Sequence, residues 1–459
     1  MYIVLSVSKR NIGRAFLIIA ISVVVGSLSG LWTYDFFRTD IIEGVYLDEL
    51  NLGKLNRTVA MAKLKAYLEP RLQAPLVLTV GERTFAYRAQ DWGAFFDYQG
   101  MAQKAYRIGR QGNWFQQRSQ RQRIAKQGYR FKPWVSVDSD QFQRLLQSLQ
   151  QEVGTEPISA KWEVLTGTNE VRLIPSQDGT ELDGSALIAL ITAELTNPPP
   201  YRLALPFKNI RPRLETAEAT NMNIRQVVAT YRTYFYPENQ GRTKNIRLAA
   251  KAINGKIIVP GEVFSFNRAV GPRIPESGYM EAPIIVNGEL VPGVGGGVCQ
   301  VSTTLYNAAV LADLSIVERN KHSLPSAYVE LGRDATVFYD YLDLKLHNTT
   351  SYPVVIDSVM GPNYLEVRLL GTWSNPWRIQ IVVEELATIP AVWQEQLDPG
   401  LAPWERMIVK EGLPGREVRV WKQYVDQQGV ILNQEILSVD TYQPINGVVK
   451  VGKPPFPNN

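Results

Sequence analysis

The sequence is poor in the residues that usually announce chemistry. Its 459 residues include one cysteine, Cys299, and two histidines, His322 and His347. One thiol cannot close an internal disulfide, which excludes a disulfide-held scaffold. Three soft ligands in all exclude a zinc centre of the Cys/His type, so neither metal nor cofactor is expected. An enzyme with a histidine base stays open, but only with one of two imidazoles in that role. The 49 Lys+Arg and 44 Asp+Glu leave a net charge of +5, a mild preference for anionic surroundings that does not by itself indicate nucleic acid. One stretch does lack acids: residues 98–137 hold no Asp or Glu and nine basic residues, from Lys104 to Lys132. That pattern suits a solvated helix face, or a surface drawn to anionic wall polymer or lipid headgroups.

Charge is also missing from residues 15–34, twenty positions reading AFLIIAISVVVGSLSGLWTY. At 1.5 Å per residue, twenty helical residues span about 30 Å, the hydrocarbon thickness of a bilayer. Lys9, Arg10 and Arg14 precede the run, and Trp32 and Tyr34 fall where an interfacial belt would lie. The reading is a single-pass anchor, with residues 15–37 in the cytoplasmic membrane and the rest outside it. A cleaved signal peptide competes, because Ser27 and Ser29 offer small residues to a peptidase.

The expected architecture is α+β and multidomain. Residues 1–39 form a cytoplasmic stub and anchor, and 40–135 and 136–215 two small α+β modules. GVYLDELNLGKLNRTVAMAKLKAYL (44–68) and DGTELDGSALIALITAEL (178–195) share one grammar: a short strand with Leu-Asp, a small-residue turn, then a helix. Residues 222–371, rich in Gly and aromatics, form an α+β domain with one clear helical run at 299–313. Residues 378–452 alternate apolar and polar positions between glycines, as an all-β module does.

The chemistry concentrates in PGVGGGVCQVSTTLYNAAVLADLSIVERNKHS (292–323). Gly295, Gly296 and Gly297 permit a backbone path that side chains forbid. A helix begins directly after them, so Cys299 sits at its N-terminus, where free N–H groups and the dipole stabilise a thiolate. The Gln300 N–H, with its side-chain amide as a second donor, is placed for an oxyanion. The helix runs about 21 Å away and LSIVERNKH (314–322) returns roughly 26 Å if extended, bringing His322 back to the thiol. His322 is preferred to His347 as base. Asp334 in GRDATV is the best orienting acid, with Glu318 and Asp340 as alternatives. Gly295, Gly296, Gly297, Ser302, Thr303 and Tyr328 are the candidates for substrate contact. Against all this stands the plain alternative that a lone cysteine is a small buried hydrophobe.

These residues resemble the VanW family. The segments that carry the likeness are KNIRLAAKAINGKIIVPGEVFSFNRAVGPR (244–273), GGGVCQVSTTLYNAA (295–309), ERNKHS (318–323), GRDATV (332–337) and HNTTSYPVVI (347–356). Residues 41–130, with AYRIGRQGNW (105–114), and 178–210 resemble the peptidoglycan-binding repeats that precede such domains, and the C-terminal segment is similar to the G-five module. The resemblance implies an envelope protein acting on peptidoglycan. Some members are regarded as cysteine L,D-transpeptidases that cross-link two diaminopimelate residues, with the family cysteine at Cys299 and the histidine at His322. The expected function is a membrane-anchored L,D-transpeptidase working through a Cys299 thioester. The alternatives are a carboxypeptidase or endopeptidase, which substitutes water for the amine, and a non-catalytic wall-binding scaffold. Oligomeric state is not legible.

Overall fold

The computed structural model describes residues 17–23, 25–27, 39–286 and 289–453. Residues 17–23 and 25–27 are helical, but most of the flanks of the apolar run 15–34 lie outside the described residues. Among the described residues no helix is long and apolar enough to cross a membrane.

The chain divides into two compact units. The first comprises Met1–Pro157 with Asp178–Arg211. Its helix Arg57–Gln73 starts at Asn56, whose side chain accepts from the Val59 N–H, and buries Ala60, Leu64 and Leu68 at i, i+4, i+8 spacing. The sequence predicts two modules, at 40–135 and 136–215; the structure has one core, from Ile41 to Leu205, with Trp92 and Phe142 inside it. Strand pairing across the expected boundary is the reason. Tyr201–Ala204 runs parallel to Pro75–Val80, and Val135–Val137 pairs with Ala94–Phe96. In the acid-free stretch, helix Trp114–Gln127 buries Ile124 and turns its other side chains outward or half outward, as a solvated face would.

The second unit comprises Ile158–Gln177 with Pro212–Asn459. Its first half is a four-stranded antiparallel sheet in the order Gln226–Tyr234, Tyr364–Gly371, Val354–Met360, Ile257–Ile258. Alternate residues Leu365, Val367 and Leu369 are fully buried, the period of a strand with one covered face. Helices Gln240–Ile253 and Val298–Leu311 pack on this sheet and on each other. A smaller sheet orders Val263–Ser265, Lys345–His347 and Ser315–Glu318, and a ribbon pairs Glu281–Val286 with Glu289–Val294.

Helix Val298–Leu311 is the centre of this half, with Val301, Leu305, Ala308 and Ala309 fully buried. It also carries buried Gln300, Ser302, Thr303, Thr304 and Asn307, and each has hydrogen-bond partners, as interior polar groups must. It ends where Asp313 turns left-handed (φ 58) and the Leu314 N–H reaches back to the Ala309 carbonyl, 3.0 Å away.

The C-terminal segment is all-β, as the alternation predicts. Arg378–Ile389, Gly415–Val425 and Ile431–Tyr442 form one antiparallel sheet, and Trp393–Leu397, Gly447–Val451 and Arg406–Lys410 a second.

Candidate active site

Backbone packing dictates the glycine run. A Cβ on Gly296 would lie 2.6 Å from the Ala282 carbonyl oxygen, and one on Gly297 (φ +105) 2.8 Å from Arg242 Cγ. Gly297 caps the helix without a side chain, so Cys299 stands in the first turn, partly accessible. The fold therefore accounts for Gly296 and Gly297 without any contact to substrate.

Cys299 Sγ lies 3.6 Å from Thr336 Oγ1 and 3.5 Å from the Val337 carbonyl oxygen. Burial, the largest effect, pushes the thiol up. The hydrogen bond and charge of His322, then bonding at Val337 and Thr336, pull it down further, to about 7. The imidazole answers in the other sense. Burial lowers it, while the Asp334 carboxylate and the Cys299 sulfur raise it, and the balance stands at about 9. The pair is thus poised to exist as thiolate and imidazolium.

The sequence predicts His322 on a returning strand. The strand ends at Glu318, and His322 lies in the loop beyond it. Asp334 holds it there, because one carboxylate oxygen, Oδ2, accepts both the His322 backbone N–H and Nδ1–H, each at 2.6 Å. Burial raises the Asp334 pKa, but the hydrogen bonds and charge of His322, with the Tyr442 hydroxyl, bring it below its usual value. A charged carboxylate assigns the proton to Nδ1 and leaves Nε2 for the thiol. Of the alternative acids, Glu318 is engaged by Lys345 at 2.8 Å and by the Asp343 N–H, while Asp340 is exposed. His347 sits on Lys345–His347 opposite Val263 and Ser315, and takes no part in these contacts.

Asp334 is held in turn from a part of the chain that local sequence reasoning does not reach. Tyr442, on the last strand of the first C-terminal sheet, donates its hydroxyl to Asp334 Oδ1 at 2.5 Å and accepts the Gly332 N–H at 2.9 Å. Arg319 bridges Asp334 Oδ1 at 3.2 Å and both oxygens of Asp440 at 2.9 and 2.7 Å. The β module thus contributes two side chains to the support of the histidine. Tyr442→Phe removes one donor from the carboxylate and orphans a buried N–H. A loss of about 1.5–3 kcal/mol in unfolding free energy is expected, with a thiol less strongly lowered beside a less firmly oriented imidazole; denaturant unfolding and iodoacetamide alkylation against pH check both.

Two expectations for the helix are corrected. The Gln300 side chain is fully buried and engaged at both ends: its amide donates to Thr233 Oγ1 and the Tyr234 carbonyl, each at 2.9 Å, and its oxygen accepts from Arg242 at 2.7 Å. Its backbone N–H bonds the Gly297 carbonyl at 3.0 Å. Neither donor is free for an oxyanion, whereas the Cys299 N–H has no partner among the described residues. Ser302 and Thr303 are likewise fully buried, with both hydroxyls on the Ala335 carbonyl at 2.6 and 3.3 Å, so they hold the 333–336 segment rather than substrate. Tyr328 lies within electrostatic reach of the thiol. Burial and the neighbouring Cys299 charge raise its hydroxyl, and Arg242 lies 5.8 Å from its ring centroid. Among the described residues no cluster of His, Cys, Asp and Glu could hold a metal ion.

Three family models match successive parts of the chain. A family model described as VanW like protein matches residues 241–370, one for a peptidoglycan binding domain matches 85–203, and the G5 domain matches 380–453. The uncharacterized protein YoaR of Bacillus subtilis is 39% identical over 220 residues, 48% of this chain and 71% of that protein. The vancomycin B-type resistance protein VanW of Enterococcus faecalis is 37% identical over 120 residues, 25% of this chain and 43% of that protein. A solved G5 domain of an IgA1 protease aligns with 17% of this chain and 95% of its own, at 22% identity and a TM-score of 0.14, too low to bear on the fold.

Proposed function

This chain belongs to the VanW-like protein family, and on that premise we propose that it is a cysteine acyltransferase of L,D-transpeptidase type, acting on peptidoglycan stem peptides. The family's companion domains make it a cell-wall-associated protein, with a peptidoglycan-binding and a G5 domain flanking the VanW-like one. The apolar run 15–34 is its membrane anchor in this reading. What carries the proposal is the connected line Cys299, His322, Asp334, in which a lowered thiol faces an imidazole held by a buried carboxylate at 2.6 Å.

The thiolate attacks the carbonyl of the third stem residue, and the tetrahedral oxyanion takes the Cys299 N–H as donor. The C–N bond to the terminal residue breaks as His322 gives its Nε2 proton to the departing amine, leaving a thioester on Sγ. The amine of a second stem then attacks the thioester, His322 takes its proton, and the new amide releases the thiol. Water in place of that amine gives a carboxypeptidase from the same intermediate.

Protonation states set the pH dependence. The nucleophile must be a thiolate and the acid an imidazolium. Activity is therefore lost as pH falls through about 7, where the thiol regains its proton, and lost again as pH rises through about 9, where the imidazole gives its proton up. A bell with limbs near those values is expected in kcat/KM; the limbs belong to the coupled pair rather than to either residue alone. The function itself is tested by incubating the protein with disaccharide-tetrapeptide and analysing the muropeptides by mass spectrometry. Cross-linked dimers support transpeptidation, loss of the terminal residue alone supports the hydrolase, and unchanged substrate leaves only the binding scaffold.

A further inference from the structure

The reaction above leaves one buried charge without a task. Both terminal nitrogens of Arg273, Nη1 and Nη2, are buried and have no hydrogen-bond partner among the described residues. The other arginines around the thiol are paired: Arg242 with Gln300, and Arg319 with Asp334 and Asp440. The Arg273 guanidinium carbon lies 5.7 Å from the ring centroids of both Phe266 and Tyr339. Its stem lies along the glycine run, where a Cβ on Gly295 would come within 3.0 Å of Arg273 Cβ. Burial lowers its pKa, and charges on Tyr279, Cys299, Asp343 and Tyr339 act against that fall, which places the guanidinium within electrostatic reach of the nucleophile. Asp343 is not its partner. That carboxylate already accepts from Ser265 Oγ at 2.5 Å and from the Asn267 and Leu344 N–H groups, each at 2.8 Å.

A buried guanidinium with empty donors is costly to the fold, and the chemistry that answers its planar fork is a carboxylate accepting two parallel N–H bonds. We propose that Arg273 binds the terminal carboxylate of the donor peptide, so that the enzyme accepts only peptides in which one residue with a free carboxylate follows the attacked carbonyl. The inference rests on the acyl-transfer reading and assigns its specificity. In such a peptide only one residue separates the attacked carbon from the terminal carboxylate carbon, a span of under about 4 Å. Binding displaces the Tyr339 ring, which lies beside Phe338 and Tyr341 in a turn where those two are 62% and 79% exposed. Arg273 is a binding residue in this account, and its bonds to the carboxylate break only when the released residue diffuses away.

The test uses the full chain and three synthetic stem tetrapeptides: one with free carboxylates, one amidated at its C-terminus, and one amidated only at its internal carboxylates. Acylation of Cys299 is followed by intact-protein mass spectrometry. The wild type is expected to acylate from the first and third at similar rates, and from the second about 100-fold more slowly. Arg273→Gln is expected to bring the first down to the rate of the second, whatever shift the loss of a nearby charge brings to the pH profile of iodoacetamide alkylation. Arg273→Lys, which keeps a point charge but not the fork, should fall between them and serves if Arg273→Gln does not fold. Equal acylation from the first two peptides overturns the assignment, and so does a preference that survives in Arg273→Gln or follows the internal carboxylates. A shifted alkylation profile with the preference intact also overturns it, making Arg273 a support for the thiolate. If no peptide acylates the wild type, the acyl-transfer reading falls, and this assignment with it.

Discussion

Cys299→Ala is expected to remove all acyl transfer, a loss of at least about 10⁴-fold, while the protein stays folded. The expectation is unusually clean because the chain has no second thiol to substitute. The side chain is partly accessible and lies at the edge of the core, so its loss opens little internal space. A change in stability within about 1 kcal/mol is expected. Cys299→Ser is the sharper version. The hydroxyl keeps the hydrogen bonds to Thr336 and Val337, yet its proton is held far more tightly than a thiol's, so the variant should fold like the wild type and remain inactive. Turnover of disaccharide-tetrapeptide beside thermal unfolding checks both. Wild-type turnover in either variant contradicts the role given to Cys299.

Asp334→Asn carries the second large effect, on rate and on stability together. The two oxygens of Asp334 have different obligations. Oδ2 accepts two N–H groups of His322, and Oδ1 accepts from Arg319 and Tyr442. An asparagine has one oxygen and one amino group for four donors, so whichever way it turns, donors face donors. If the amino group faces His322, it collides with the backbone N–H and drives the ring proton from Nδ1 to Nε2, where it cannot accept the thiol proton. A loss of roughly 10⁴-fold in activity follows from the wrong tautomer, and about 1–3 kcal/mol of stability from the unpaired buried groups. The thiol should also cease to be lowered, because the imidazolium beside it loses its counter-charge. Iodoacetamide alkylation against pH reads that shift directly. An unchanged profile in a folded variant would remove Asp334 from the site.

How far the sequence reveals this arrangement depends on the range of each interaction. The helix at Cys299, its glycine lead-in and the apolar stripe that buries it are local patterns, and the helix lies at Val298–Leu311 against an expected 299–313. The reach from thiol to His322 follows from counting residues, although the segment is strand only to Glu318. Asp334, twelve residues beyond His322, is close enough in sequence to be proposed from its neighbours. Tyr442 and Arg273 are not. Tyr442 meets Asp334 across 108 positions and from the all-β module, and nothing in REVRVWKQYV or GVILNQEILSVDTY distinguishes that tyrosine from its neighbours. The meaning of Arg273 lies in the partners it lacks, which only packing reveals. The error over Gln300 has a related cause: adjacency to the nucleophile in sequence says nothing of which way a side chain leaves the helix, and this one points into the core.

Acyl transfer of the proposed kind requires a covalent bond between Cys299 and a stem peptide. Intact mass of the full chain, mixed with tetrapeptide and quenched in acid, measures it most directly. The expected mass gain is that of the tetrapeptide less the free terminal amino acid, located on Cys299 by fragmentation and absent from Cys299→Ala. An unmodified folded protein whose Cys299 still alkylates with iodoacetamide would contradict it.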